Sequence, residues 1–185
     1  MSRKHRRGKN DEAILAHIRN GRRLSEQSQS CFTAALELLT AEYLDAVYGF
    51  CRYSLPESEQ DKAYDLAHDV FVAAYKAMPR FREESSIKTW LMSIARHKFI
   101  DVLRERKKTN RPPKTDSTNI QDDQELWEAM QHHIRTLPLE DRLIIALRLF
   151  GKLTSKEIAE ILALKPASLR QRYRRAMQRL KRSFQ

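Results

Sequence analysis

The residues best suited to act on another molecule lie near the C-terminal end, in LTSKEIAEILALKPASLRQRYRRAMQRLKRSF. Ser168, Arg170, Gln171, Arg174 and Arg175 fall on one side of a helix, because Leu169, Tyr173, Ala176, Leu180 and Phe184 take the opposite stripe. Guanidinium and amide groups displayed in this way match the acceptors and donors of base edges, and flanking cations such as Lys165 match phosphates. From Lys165 to Gln185 there are eight basic residues and no acidic one. A helix of one sign repels itself by roughly a few tenths of a kcal/mol per neighbouring pair, and a polyanion relieves that repulsion. A basic protein-interaction surface is the plainer alternative.

Such a face needs rigid support, and the preceding residues supply the grammar of a helix-turn-helix. Thr154 and Glu157 have the capping-box spacing that starts a helix. Ile158, Ala159 and Leu162 are expected to face inward, Ala163 to Lys165 to make the turn, and Pro166 to open the second helix, where its missing N–H costs nothing.

A second basic set lies in FREESSIKTWLMSIARHKFIDVLRERKK. A helix over about 87–106 buries Leu91, Ile94, Ala95, Phe99 and Val102, leaving Arg96, His97, Asp101 and Arg104 toward solvent, with Lys107 and Lys108 beyond. Trp90 at its start suits an unstacked base, because aromatic faces accept bases while cations follow the backbone. Taken alone, Trp90 reads first as a core anchor.

The elements that position these sets are all helical by period. Residues 11–19 carry Ile14, Leu15 and Ile18, with Asn20-Gly21 as an expected stop. Residues 31–54 form one helix or a pair, Pro56 and ESEQD interrupt, and residues 62–78 carry Leu66, Val70, Phe71, Ala74 and Met78 up to Pro79. KKTNRPPKTDSTNIQDD is nearly devoid of apolar residues and reads as a linker. Helical blocks at about 123–136, 139–150, 155–162 and 166–182 follow it. The expected organisation is a basic arm over 1–10, a helical domain over 11–106, a linker over 107–122 and a helix-turn-helix domain over 123–185, an all-α chain of two small helical domains.

Composition narrows the function classes. The net charge of +11 favours nucleic acid, or an anionic membrane surface, as partner. No apolar run reaches spanning length and MSRKHRRGKN lacks the apolar centre of a signal peptide, so membrane insertion is not expected and a cytoplasmic location is. Cys31 and Cys51 have no metal-ligand spacing, His132 and His133 stand without a ligand cluster, and no phosphate-binding glycine loop or nucleophile with its base is present. Neither a cofactor, a metal nor an enzymatic activity is expected.

DLAHDVFVAAYKAMPRF and SSIKTWLMSIARHKFIDVLRERKK resemble region two of the extracytoplasmic-function group of sigma-70 factors, and LPLEDRLIIALRLFGKLTSKEIAEILALKPASLRQRYRRAMQRLK resembles region four. DEAILAHIRNG is similar to the family's opening phrase, so the likeness spans roughly Asp11 to Arg182. The resemblance implies an RNA polymerase specificity subunit that directs promoter-specific initiation. Asp65, Asp69, Phe71 and Tyr75 would bind the clamp coiled coil of the largest polymerase subunit. Trp90, Arg96, His97, Lys98, Asp101 and Arg104 would hold the opened minus-ten element of promoter DNA. The helix over 166–182, with Lys165, Ser168, Arg170, Gln171, Arg174 and Arg175, would read the minus-thirty-five element while its domain grips the flap of the second-largest subunit. An anti-sigma factor is a possible further partner. His97 stands where the family commonly has Asn, and Ala163 where Gly is frequent. A regulator that binds promoters alone through a similar helix-turn-helix is the main rival, but it normally carries a sheet domain in front, and no βα alternation precedes residue 107.

Overall fold

The apolar stripes of the sequence fold as α-helices in a computed structural model that describes residues 8–24, 26–109, 133–134 and 137–183. The helices are α1 (Asp11–Arg23), α2 (Ser28–Ser54), α3 (Ala63–Ala77), α4 (Ile87–Thr109), α5 (Leu139–Leu149), α6 (Ser155–Ile161) and α7 (Pro166–Ser183). Short 3-10 turns at Glu57–Lys62 and Met78–Arg80 fall at the expected interruptions around Pro56 and Pro79. Among the described residues there is no strand, and no helix is long and apolar enough to cross a membrane. The expected helix over 123–136 lies outside the described residues except for 133–134, as do most of the linker, residues 1–7 and Phe184.

Three expectations change. The first helix does not stop at Asn20-Gly21 but runs to Arg23, because Gly21 serves a packing need there rather than a turn. A Cβ on Gly21 would lie 2.9 Å from the Phe32 ring, so its absence lets α1 close on α2. The third long helix passes 106 and continues to Thr109, into what the sequence suggests is linker. Residues 8–10 are pinned rather than part of a free arm: Lys9 N and the Asn10 side-chain amide both donate to Glu42 on α2 (3.2 Å each), and Gly8 N donates to Asp11 Oδ2 (2.8 Å).

Helix α2 is the central beam. It packs against α1, α3 and α4, and also against α5 of the C-terminal module. Phe50 meets Phe99 of α4 edge to face at 6.4 Å, and both are fully buried. That core is continuous with Leu143, Ile144 and Leu147 of α5, Ile158 and Ile161 of α6 and Leu169 of α7. A smaller cluster of Ile134, Leu137, Ile145, Ala176 and Leu180 holds α7 to α5. The two modules therefore share one apolar interior rather than standing apart.

Candidate nucleic-acid interface

The helix-turn-helix forms as its sequence demands. Thr154 Oγ1 accepts from Glu157 N (3.4 Å) while Thr154 N donates to Glu157 Oε2 (2.8 Å), so two amides left over at the start of α6 are satisfied reciprocally. The inward face is Ile158, Ala159 and Ile161; Leu162 is only half-buried. Ala163 takes a left-handed φ of 53°, and Leu164 N returns to Ala159 O (2.8 Å) to close the end of α6. Lys165 O accepts from Leu169 N, and Pro166 occupies the first turn of α7.

Helix α7 has the expected faces. Leu169, Ala176 and Leu180 are buried and Tyr173 is half-buried, whereas Lys165, Ser168, Arg170, Gln171, Arg174, Arg175 and Gln178 are exposed. Two of the helix's cations are neutralised by α5: Arg172 pairs with Glu140, and Arg179 Nη1 donates to the buried Asp141 carboxylate at 2.6 Å. These two flank the core. Lys165, Arg170, Arg174 and Arg175 form no ion pair among the described residues, so no described carboxylate compensates these charges on the outer face. Arg170, Tyr173, Arg174, Gln178 and Lys181, with Ser155 of α6, line a shallow groove beside that face. The sequence reading did not single out Ser155 or Lys181.

The α4 surface is more mixed. Ser86 Oγ accepts from Thr89 N (3.1 Å) and starts the helix. Trp90 is half-buried with its ring 4.7 Å from the buried Phe81 ring, so it is both an anchor and a partly open aromatic face. His97, Asp101 and Arg104 are exposed, and Lys98 is half-buried. Asp101 and Arg104 pair with each other at 3.3 Å. Arg96, expected on the solvent face, is half-buried with its Nε enclosed.

The loop before α4 is tied down by a feature the sequence reading missed. Glu83 has a φ of 60°, and its carboxylate accepts from Arg19 Nε (3.0 Å) and Nη2 (2.5 Å), with Arg22 Nη2 at 3.6 Å. These bonds hold the Arg19 pKa above its ordinary value. No local pattern links residues separated by this much chain, so only the fold reveals them.

On α3, Asp65 and Asp69 are exposed and Tyr75 is half-buried, but Phe71 is 6% exposed and belongs to the core. Its place on the stripe with Leu66, Val70, Ala74 and Met78 explains why: the same period that marks the helix turns Phe71 inward. The exposed aromatic on this helix is instead Tyr64, 64% exposed and 4.4 Å from the Tyr48 ring. Among the described residues no cluster of three or more His, Cys, Asp or Glu could hold a metal ion.

Comparison with known proteins places these surfaces in a family. The sigma-70 region 2 model matches residues 39–109, and the sigma-70 region 4 model matches residues 127–180. The chain is 33% identical over 135 residues to the RNA polymerase sigma factor YlaC of Bacillus subtilis (strain 168), covering 67% of this chain and 78% of that one. It is 29% identical over 159 residues to the ECF RNA polymerase sigma factor RpoE of Cereibacter sphaeroides, covering 80% and 85%. Its fold resembles the sigma factor RpoE of Bartonella quintana, solved with the anti-sigma factor NepR, at a TM-score of 0.67 and 24% identity over 80% of this chain and 94% of that one. The region 2 match contains α3 and α4, and the region 4 match contains the helix-turn-helix with its unpaired cationic face, in that order along one chain. The chain accordingly belongs to the sigma-70 family and is an RNA polymerase sigma factor of the extracytoplasmic-function type.

Proposed function

We propose that α7 reads the minus-thirty-five element of a promoter, that α4 and the loop before it hold the opened minus-ten element, and that the exposed face of α3 binds core polymerase. The observation that carries this reading is the sorting of charge on α7. Arg172 and Arg179, next to the core, are paired with α5 carboxylates, while Lys165, Arg170, Arg174 and Arg175 are left outward. Arg170, Gln171 and Arg174 are suited to base edges in a major groove, and Lys165 and Arg175 to phosphates.

Region 2 divides in the same way. Asp65 and Asp69, one turn apart on α3, offer a docking edge to a basic polymerase surface, and Tyr64 extends it with an aromatic ring. Trp90, His97, Lys98 and Arg104 give α4 an aromatic and cationic rim that suits single-stranded DNA, where bases stack and phosphates need counter-charge. Catalysis stays with the polymerase, and the protein works in the cytoplasm with the chromosome. An anti-sigma factor of the kind solved with the Bartonella quintana relative is a further partner.

The test is run-off transcription with core polymerase and the purified chain on host promoter fragments. Promoter-dependent product is expected, whereas a footprint on duplex DNA without polymerase would favour an autonomous regulator. Arg170→Ala and Arg174→Ala should each weaken upstream-element binding by about 1–3 kcal/mol and relax specificity at one position. Lys165→Ala should lower the salt dependence by about one phosphate contact while leaving sequence preference intact.

A further inference from the structure

Glu83 lies between the buried Phe81, whose ring is 4.7 Å from that of Trp90, and Ser86, which caps α4. Its φ of 60° is left-handed, a region that a residue with a Cβ rarely occupies unless something holds it there. What holds it comes from α1. The Arg19 guanidinium grips both carboxylate oxygens across 64 residues of chain, Nε on Oε1 at 3.0 Å and Nη2 on Oε2 at 2.5 Å. Arg22 Nη2 stands 3.6 Å from Oε1. Arg19 is itself aimed: its Nη1 donates at 3.1 Å to Glu12, two turns earlier on α1. The start of the same loop, Met78–Arg80, also packs on α1.

A planar fork on a carboxylate fixes direction as well as distance, which a lysine cannot do. As a source of stability this pair is weak. The Arg19 side chain is 44% exposed and that of Glu83 28%, and ion pairs so open to water contribute little. A weakly stabilising pair that nonetheless maintains a disfavoured backbone angle has its main effect on shape. That angle sets the direction in which the exposed Arg82 and Glu84 leave the loop, between the Phe81–Trp90 contact and the first turn of α4. Helix α1 ends at Arg23 and so lies wholly before residue 39, where the region 2 match begins.

We infer that α1 belongs to the strand-holding surface, with Arg19 as a positioning residue that acts through Glu83 to preset the loop before α4 and Arg22 as its second. The consequence for promoter opening rests on the minus-ten reading proposed above, whereas the tie between α1 and the loop is a property of the free chain. A loop already shaped for its ligand loses less freedom on binding. Cutting the tie therefore lowers the fraction of molecules ready to hold the opened strand.

Two measurements on the full chain test this. Limited trypsin digestion, followed by mass, reports cleavage after Arg82, which requires the loop to leave its fixed shape. Arg19→Ala should raise cleavage there about fivefold or more, and Arg19→Lys by an intermediate amount, at urea midpoints close to that of the wild type. Permanganate reactivity of unpaired thymines then reports opening of a host promoter by polymerase carrying each variant. Arg19→Ala and Glu83→Gly should each reduce the opened fraction at limiting polymerase by about tenfold, with affinity for core polymerase unchanged. Glu83→Gly also frees the disfavoured φ, so it should lose opening without losing stability. In the double variant, Arg19→Ala should add nothing to Glu83→Gly, because Arg19 acts only through Glu83. Unchanged cleavage in Arg19→Ala, unchanged opening despite faster cleavage, or full additivity in the double variant overturns the inference. If the wild type opens no promoter at all, the minus-ten reading falls, and cleavage after Arg82 still decides whether α1 holds the loop.

Discussion

Ala163 shows how a single residue can bear a local cost. Its φ of 53° lies where a Cβ crowds the backbone, yet the amides of Ala163 and Leu164 both return to α6 carbonyls, so the conformation is imposed by the turn. Ala163→Gly should raise stability by about 1 kcal/mol, read as a higher urea midpoint. An unchanged or lower midpoint would contradict the strain. Cys51 and Tyr43 make a prediction about pH. Burial pushes the Cys51 thiol from 9.0 up to about 12. Burial and then the hydrogen bond to Asp11 hold the Tyr43 phenol well above its ordinary value. Both groups keep their protons to higher pH when folded than when unfolded. Their stabilisation is therefore complete below pH 9 and is lost as pH rises toward the folded values, by up to about 1.4 kcal/mol per unit for the thiol. Urea unfolding at neutral pH and at pH about 10 should show this loss, and Cys51→Ala should reduce it. Equal losses in wild type and variant would remove the thiol from the account. Cys51 was legible only as a thiol in a helical segment; its burial depends on which face of α2 meets the rest of the core.

At the scale of elements, periodicity located all seven described helices, and their ends were set by chemistry of different reach. Thr154, Pro79 and Pro166 act on their own neighbours, so the starts of α6 and α7 and the end of α3 could be read directly. Gly21 misled, because its purpose is the Phe32 ring on another helix. Gly21→Val should force that contact apart and cost about 2 kcal/mol, measured as a lower midpoint with α1 amides exchanging faster. Normal protection of α1 in that variant would show that Phe32 simply moves aside. Thr154→Ala removes the reciprocal cap of α6 and should cost about 1–2 kcal/mol, with the fastest exchange in the first turn of that helix. The outward cations of α7 were legible for the same local reason as the caps. Their stripe partners Leu169, Ala176 and Leu180 are buried, which fixes the opposite side toward solvent. Phe71, expected from the family resemblance to meet polymerase, is buried on the stripe that the sequence itself displayed.

At the scale of the whole molecule, the modules share one continuous core through α2, α5 and α6. The free chain is expected to melt in a single cooperative transition, with calorimetric and van't Hoff enthalpies in agreement. Gly49→Ala should split or broaden that transition by uncoupling the modules. Two separate transitions in the wild type would contradict a shared interior. The pairing of Arg172 and Arg179 with α5 also belongs to this scale, because it decides which of the eight basic residues near the C-terminus remain available to a polyanion.

The sequence by itself determined the helices, the capped helix-turn-helix, the excess of positive charge and the family, since each follows from neighbours within a few turns or from motifs in order along the chain. The tertiary structure alone decided that Glu83 is held by Arg19 and Arg22, that Glu157 reaches Thr89, and that Phe150 fills the space left by Gly49. Those contacts join residues far apart in the chain, where side-chain reach and the fit of one helix on another, rather than period or propensity, select the partner.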